Sequence, residues 1–263
     1  MIKDLGKLIV IGVVLFFAGF FLKSVGVSES TATGAEDHHM TLKLSDGLIL
    51  HAWLSEAIVD TTNKTTKPGL ALLLPMMSKT YKSYAPFTAK INELGYATLA
   101  FDMRGHGQST QVGDKEISYS SMDKSEFARM PSDINSFFND FKSKHPDSYN
   151  YDDVIVIGAS IGANTAAILL KENWVSRSVL LSPGKDYRGL IPGDVLHQKE
   201  LTKPIYIAAA TDDTYSSESS QWLFDNYNGP KVFKKYPGQD HGTDILHNVP
   251  NADKELLEWL KGK

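Results

Sequence analysis

The chain contains no cysteine. Disulfides, thiolate nucleophiles and Cys-ligated metals are therefore excluded, and the absence suits oxidising and reducing compartments alike. Charge of one sign is not in large excess either. Lys and Arg number 27 against 31 Asp and Glu, leaving a net −4, which gives no electrostatic reason to expect nucleic acid as a partner. The sequence holds no internal repeat, no His-x-x-x-His pair or paired-carboxylate cage, and no Gly-x-Gly-x-x-Gly after a first strand. Neither a metal nor a nucleotide cofactor is expected. Long apolar runs are scarce too, with one exception at the N-terminus.

That exception is Leu8 to Leu22, uncharged and apolar throughout, preceded by Lys3 and Lys7 and closed by Lys23. A basic start followed by an apolar middle is the layout of a secretory signal peptide. The run is short for a transmembrane helix, which needs about 20 residues, unless Lys23 snorkels and Val25 to Val27 join it. Residues 1–27 are therefore expected to be a signal or membrane anchor, and residues 28–39, rich in Ser, Thr, Gly and acid, a flexible linker. Positive charges ahead of the segment place the remaining domain outside the cytoplasm, anchored to the membrane or secreted after cleavage.

Residues 40–263 are long enough for one α/β domain with a full core. Met40 to Leu44 and Leu48 to Leu54 flank a Ser45-Asp46-Gly47 turn and predict an antiparallel hairpin. Apolar strands are predicted at Leu70 to Leu74, Tyr96 to Phe101, Val154 to Ile157, Ser178 to Leu181, Ile205 to Ala210 and Lys231 to Tyr236. Helices are predicted at Tyr84 to Leu94, Phe127 to Lys144, Ala163 to Lys171, near Ser217 to Phe224 and at Asp253 to Lys261. Thr61 to Lys67 and Gln111 to Ser125 read as polar loops. Alternation of strands and helices implies a mostly parallel sheet covered on both faces, with a site at the strand C-termini.

The stretch with most chemical content is Gly158-Ala159-Ser160-Ile161-Gly162. It follows a β-branched apolar strand and opens a helix, the context in which Gly-x-Ser-x-Gly raises a serine hydroxyl above a helix N-terminus. A serine is a poor nucleophile at its free pKa and needs a base within hydrogen-bond reach. His241 sits on a Gly-flanked loop after the last strand, whereas His51 lies in the first hairpin, His145 and His247 in surface-like sequence, and His38 and His39 in the linker. The carboxylate that would fix the imidazole tautomer is Asp212 or Asp213, both after the Ile205 to Ala210 strand.

From Met40 onward the chain resembles an α/β-hydrolase, closest to the small dienelactone-hydrolase-like or serine-aminopeptidase-like members. The resemblance is carried by Gly158 to Gly162, by Asp102-x-Arg104-Gly105-His106-Gly107-x-Ser109, by Asp212-Asp213 and by Asp240-His241-Gly242, in the order Ser, Asp, His. It implies an α/β-hydrolase fold with a minimal cap or none, and a catalytic set of Ser160, Asp213 and His241, with Asp212 as the alternative acid. His106 would be structural. The oxyanion donors it implies are the backbone N–H groups of Ile161 and Met77, with Met76 the runner-up. Where the family commonly has His-Gly, this chain has Pro75-Met76, and proline has no N–H to give. The implied activity is that of a serine esterase on small carboxylic esters. The alternatives are a peptidase or acyltransferase on the same residues, or a catalytically idle binding module at a membrane surface.

Overall fold

A computed structural model describes residues 38–58 and 67–262. The Leu8 to Leu22 segment, most of the linker and most of the Thr61 to Lys67 loop lie outside them. No helix among the described residues is long and apolar enough to cross a membrane.

Eight of the described strands form one sheet: β1 (His38–Lys43), β2 (Ile49–Ser55), β3 (Gly69–Leu74), β4 (Tyr96–Asp102), β5 (Val154–Ala159), β6 (Arg177–Leu181), β7 (Ile205–Ala210) and β8 (Lys231–Tyr236). Their order is β1-β2-β4-β3-β5-β6-β7-β8. β2 runs antiparallel to β1 and β4, with Met40 facing Ala52, and the pairs from β4 to β8 are parallel. Strands β3 to β7 are apolar along nearly their whole length because helices cover both faces. Those helices are α1 (Ala85–Glu93), α2 (Met130–Lys144), α3 (Ile161–Leu169), α4 (Thr214–Asn226) and α5 (Ala252–Lys261).

Most predicted elements are present with ends shifted by one to three residues, and three differences from the sequence reading are larger in consequence. β1 starts at His38, so two histidines assigned to the linker are paired with Leu54 and Trp53. The long helix expected from Phe127 is two pieces: a turn at Lys124–Phe127, capped by Asp123 through Ser125 and Glu126, and α2 from Met130. Pro131 marks the break: it has no N–H to give the Phe127 carbonyl, and it sits in the first turn of α2, where that donor is not needed. The buried face of α2 is as the periodicity predicts: Ile134, Phe137, Phe138 and Phe141 enter the core, each worth about 1.5–3 kcal/mol of transfer free energy. The Gln111 to Ser125 stretch carries a small ribbon, Gln111–Val112 with Lys115–Glu116. It is tied to the first hairpin by a Val112–Leu48 bridge and to the Arg104–Ser109 loop by Tyr119 N–H donating to the Gly105 carbonyl.

That loop is held by charge. Arg104 donates from Nε and Nη2 to both oxygens of the buried Asp133 (2.7 and 2.8 Å) and from Nη1 to Asp46 (2.7 Å). Burial opposes the guanidinium charge, but the two carboxylates outweigh it and hold the pKa above its ordinary value. Arg104→Met is expected to lower the unfolding free energy by about 3–5 kcal/mol, because it strands the Asp133 carboxylate in the core. Urea unfolding measures this, and adding Asp133→Asn should recover part of the loss. A loss below about 1 kcal/mol for the single variant would show that the pair does not hold the loop.

Candidate active site

Ser160 joins β5 to α3 with φ 54° and ψ −116°, a left-handed backbone that an L-residue adopts only under constraint. The constraint comes from its neighbours. Its N–H donates to the Leu181 carbonyl (2.8 Å), and its carbonyl accepts from the N–H groups of Ala163 and Asn164 (2.9 and 3.1 Å). The two motif glycines permit the turn sterically: a Cβ on Gly158 would collide with the Gly162 carbonyl, and one on Gly162 with that of Leu74. The serine is only 6% exposed, at the C-terminal edge of the sheet.

His241 follows β8, and its Nδ1 lies 2.6 Å from Asp213 Oδ2. Asp213 sits at the N-cap position of α4 but makes no cap bond with its side chain, so the carboxylate serves His241 instead. Asp212 turns outward: its N–H donates to the Gly238 carbonyl (2.8 Å), and its carboxylate meets only the Thr211 hydroxyl (3.2 Å). Ser182, the residue after β6, accepts at Oγ from the Gly242 N–H (2.9 Å) and so anchors the histidine loop.

The other histidines are engaged elsewhere. His51 Nδ1 contacts His39 Nε2 at 2.8 Å, His247 Nε2 bonds the Ser83 carbonyl (2.8 Å), and His145 lies tilted against Phe141 and edge-on to Tyr149. His106 is buried with Nδ1 on the Arg104 carbonyl (2.9 Å), and burial lowers its pKa, keeping the ring neutral. Asp102 is a scaffold: it accepts from the N–H groups of Tyr81 (2.9 Å) and Gln108 (2.8 Å).

The backbone N–H groups of Ile161 and Met77 donate to nothing among the described residues, and the same is true of Met76. The two methionines differ in their side chains. Met77 is half-buried at the edge of the larger core, whereas Met76 is buried, its sulfur close to the Cα of Gly242 and the side chain packed among the residues under the histidine loop.

Four residues of this region were not legible as functional in the sequence. Ser182 and Ser216 look like ordinary serines there. Asn164 is an amide inside a helix, a poor helix former whose presence is a weak signal. Tyr187 lies in the Gly/Pro-broken stretch after β6, where no periodicity points at it. Its phenol oxygen is 3.0 Å from Ser216 Oγ, and its ring stands edge-on to His241 with centroids 6.4 Å apart.

Residues 67–193 match the family profile described as serine aminopeptidase, S33. The fold is similar to an esterase of Pyrococcus furiosus (18% identity, 87% of this chain and 91% of that one, TM-score 0.62) and to a thermostable carboxyl esterase of Bacillus coagulans solved with glycerol (15%, 86% and 97%, 0.59). It is also similar to an acylaminoacyl peptidase of Pyrococcus horikoshii (13%, TM-score 0.65), of which 86% of this chain covers 40%. No curated protein sequence matches the chain. The chain has the α/β-hydrolase fold. Within this fold the insertion between β6 and β7 is short. It contains a single helical turn, at Gly193–Leu196.

Proposed function

We propose that this α/β-hydrolase is a serine esterase acting on short-chain carboxylic esters through an acyl-enzyme. The 2.6 Å contact between His241 Nδ1 and Asp213 Oδ2 carries the reading, because it leaves Nε2 free to act as base, and the adjoining Gly242 lies against Ala159, the residue before the serine of the strained elbow. Ser160 Oγ attacks the acyl carbon and its proton passes to His241 Nε2, while Asp213 stabilises the imidazolium. The Ile161 and Met77 N–H groups receive the negative charge that develops on the carbonyl oxygen. The imidazolium then protonates the departing alcohol, and water repeats the sequence to release the acid. None of these steps calls for a metal or an organic cofactor.

The acyl preference follows from the β6–β7 insertion, Ser182 to Lys203, which is too short and too broken by glycine and proline to roof a long apolar tunnel. Each methylene left in water forgoes about 0.8 kcal/mol of transition-state binding. Across p-nitrophenyl esters, kcat/KM is expected to peak at about four acyl carbons or fewer, with no jump in rate above the substrate's solubility limit. Covalent labelling by a fluorophosphonate checks the nucleophile independently. A maximum at long chains would overturn the chain-length reading, and a protein that neither labels nor hydrolyses esters would be an idle member of the superfamily.

A further inference from the structure

The segment that replaces a cap is pinned to the nucleophile. Asn164, one turn after Ser160 in α3, is fully buried; its Nδ2 donates to the carbonyls of Gly184 (3.0 Å) and Leu190 (2.8 Å), and its Oδ1 accepts from the Gly184 N–H (2.9 Å). Tyr187 and Leu190 then exchange backbone bonds (3.2 and 3.0 Å) across a tight turn in which Arg188 and Gly189 both have positive φ, 56° and 91°. Tyr215 closes the other side, donating from its hydroxyl to the Asp186 carbonyl (2.9 Å) and accepting from the Asp186 N–H (3.0 Å). The Tyr187 ring leans on Gly184, where a Cβ would come within 2.7 Å of it, and packs edge-on to Tyr215. Its position relative to Ser160 is therefore fixed by seven hydrogen bonds and two ring contacts rather than left to a loose loop.

The protons around it can be assigned in sequence. His241 Nδ1–H is committed to Asp213 at 2.6 Å, so Ser216 Oγ, 3.4 Å from Nδ1, is at most a second acceptor. The Ser216 hydrogen is then free for the Tyr187 oxygen at 3.0 Å. The phenol's own hydrogen is then not needed by Ser216, and the ring that carries it stands edge-on to His241. Burial raises the Tyr187 pKa above its ordinary value, so the group remains a donor across the neutral range.

The strand order decides which substrate atom this donor faces. Ser160 follows β5; the loop with Met77 follows β3 on one side of it, and Tyr187 follows β6 on the other, the side from which Asp213 and His241 also come. The carbonyl oxygen belongs on the β3 side with the backbone donors. The alcohol oxygen belongs on the β6 side, where His241 delivers its proton.

We propose that Tyr187 is a catalytic residue of this site, donating a hydrogen bond from its phenol to the ester's alcohol oxygen as the acyl carbon–oxygen bond breaks. This rests on the serine-esterase reading and assigns the leaving-group half of it. The phenol stays protonated throughout. The electron pair of the breaking bond goes to the alcohol oxygen, the proton that oxygen takes comes from His241 Nε2, and Tyr187 stabilises the charge present before that proton arrives.

The test is Tyr187→Phe, which keeps the ring contacts and removes only the donor. With acetate as the common acyl group, kcat/KM for an aliphatic ester such as ethyl acetate should fall by about 10- to 100-fold, in the range for loss of one transition-state donor. For p-nitrophenyl acetate, whose leaving group needs little help, the fall should be less than about 3-fold. The variant should also label with fluorophosphonate at the wild-type rate, because the fluoride leaving group needs no such donor. Equal losses on both esters, or none on ethyl acetate, would overturn the role of Tyr187 and leave the esterase reading intact. Wild-type turnover in Ser160→Ala would overturn both.

Discussion

Ser160→Ala loses ester turnover by a factor of about 10⁴ or more in kcat, and His241→Ala loses as much, while the double variant loses little beyond either. The non-additivity is the informative part. Attack by Oγ and proton removal by Nε2 are one event, so removing either partner removes the event, and what remains is binding and the backbone donors. Neither change should unfold the domain. Alanine at position 160 inherits the same left-handed backbone and keeps the N–H bond to Leu181 and the carbonyl bonds from Ala163 and Asn164. His241 is about one-third exposed and contributes little to either core. Initial rates on p-nitrophenyl butyrate, thermal denaturation and fluorophosphonate labelling check the three parts of this expectation. A Ser160→Ala protein that turns over substrate at the wild-type rate would end the serine mechanism.

Asp213→Asn is the second large effect, expected to cost about 10⁴-fold in kcat, against less than about 3-fold for Asp212→Asn. Asparagine at 213 can present its amide NH₂ to Nδ1, which selects the tautomer with the proton on Nε2 and leaves the imidazole unable to accept the serine's proton. It also removes the charge that stabilises the imidazolium. The neighbour has no such reach, since the Asp212 carboxylate is exposed and bonded only to Thr211. Because the Asp213 side chain caps nothing, the substitution should leave the melting temperature nearly unchanged, and the loss can be read as catalysis. Comparable small losses for both variants would move the acid to another carboxylate.

The central strands were readable because burial on both faces leaves continuous apolar runs. Ile205 to Ala210 and Lys231 to Tyr236 have the boundaries their composition suggested. The elbow was readable because its two glycines are required by contacts with carbonyls that only a strand–turn–helix unit brings so close. The start of α2 was harder, since the apolar period runs on through Phe127 while Pro131 breaks the backbone beneath it. Met76 and Met77 are adjacent and chemically alike, so which one faces the pocket depends on how the strand end turns. Tyr187 was beyond reach for a deeper reason: its place is set by an asparagine 23 positions earlier, and contacts of that kind leave no local pattern.

The left-handed residues have a bearing on engineering. Five non-glycine residues among those described have positive φ: Ser78, Ser160, Ser182, Arg188 and Asn251. The first four lie in the loops around the elbow, and each carries about 1–2 kcal/mol of steric cost that glycine would relieve. A thermostability screen that ranks positions by backbone strain would therefore nominate the active site first. Glycine at 160 removes the nucleophile, and at 182 it removes the hydroxyl that anchors the histidine loop. Asn251, at the start of α5 and away from the elbow, is where the same substitution can be made at no catalytic risk. Heat resistance and turnover compete for the same few dihedral angles, and the room for improving one without the other lies at the far end of the chain.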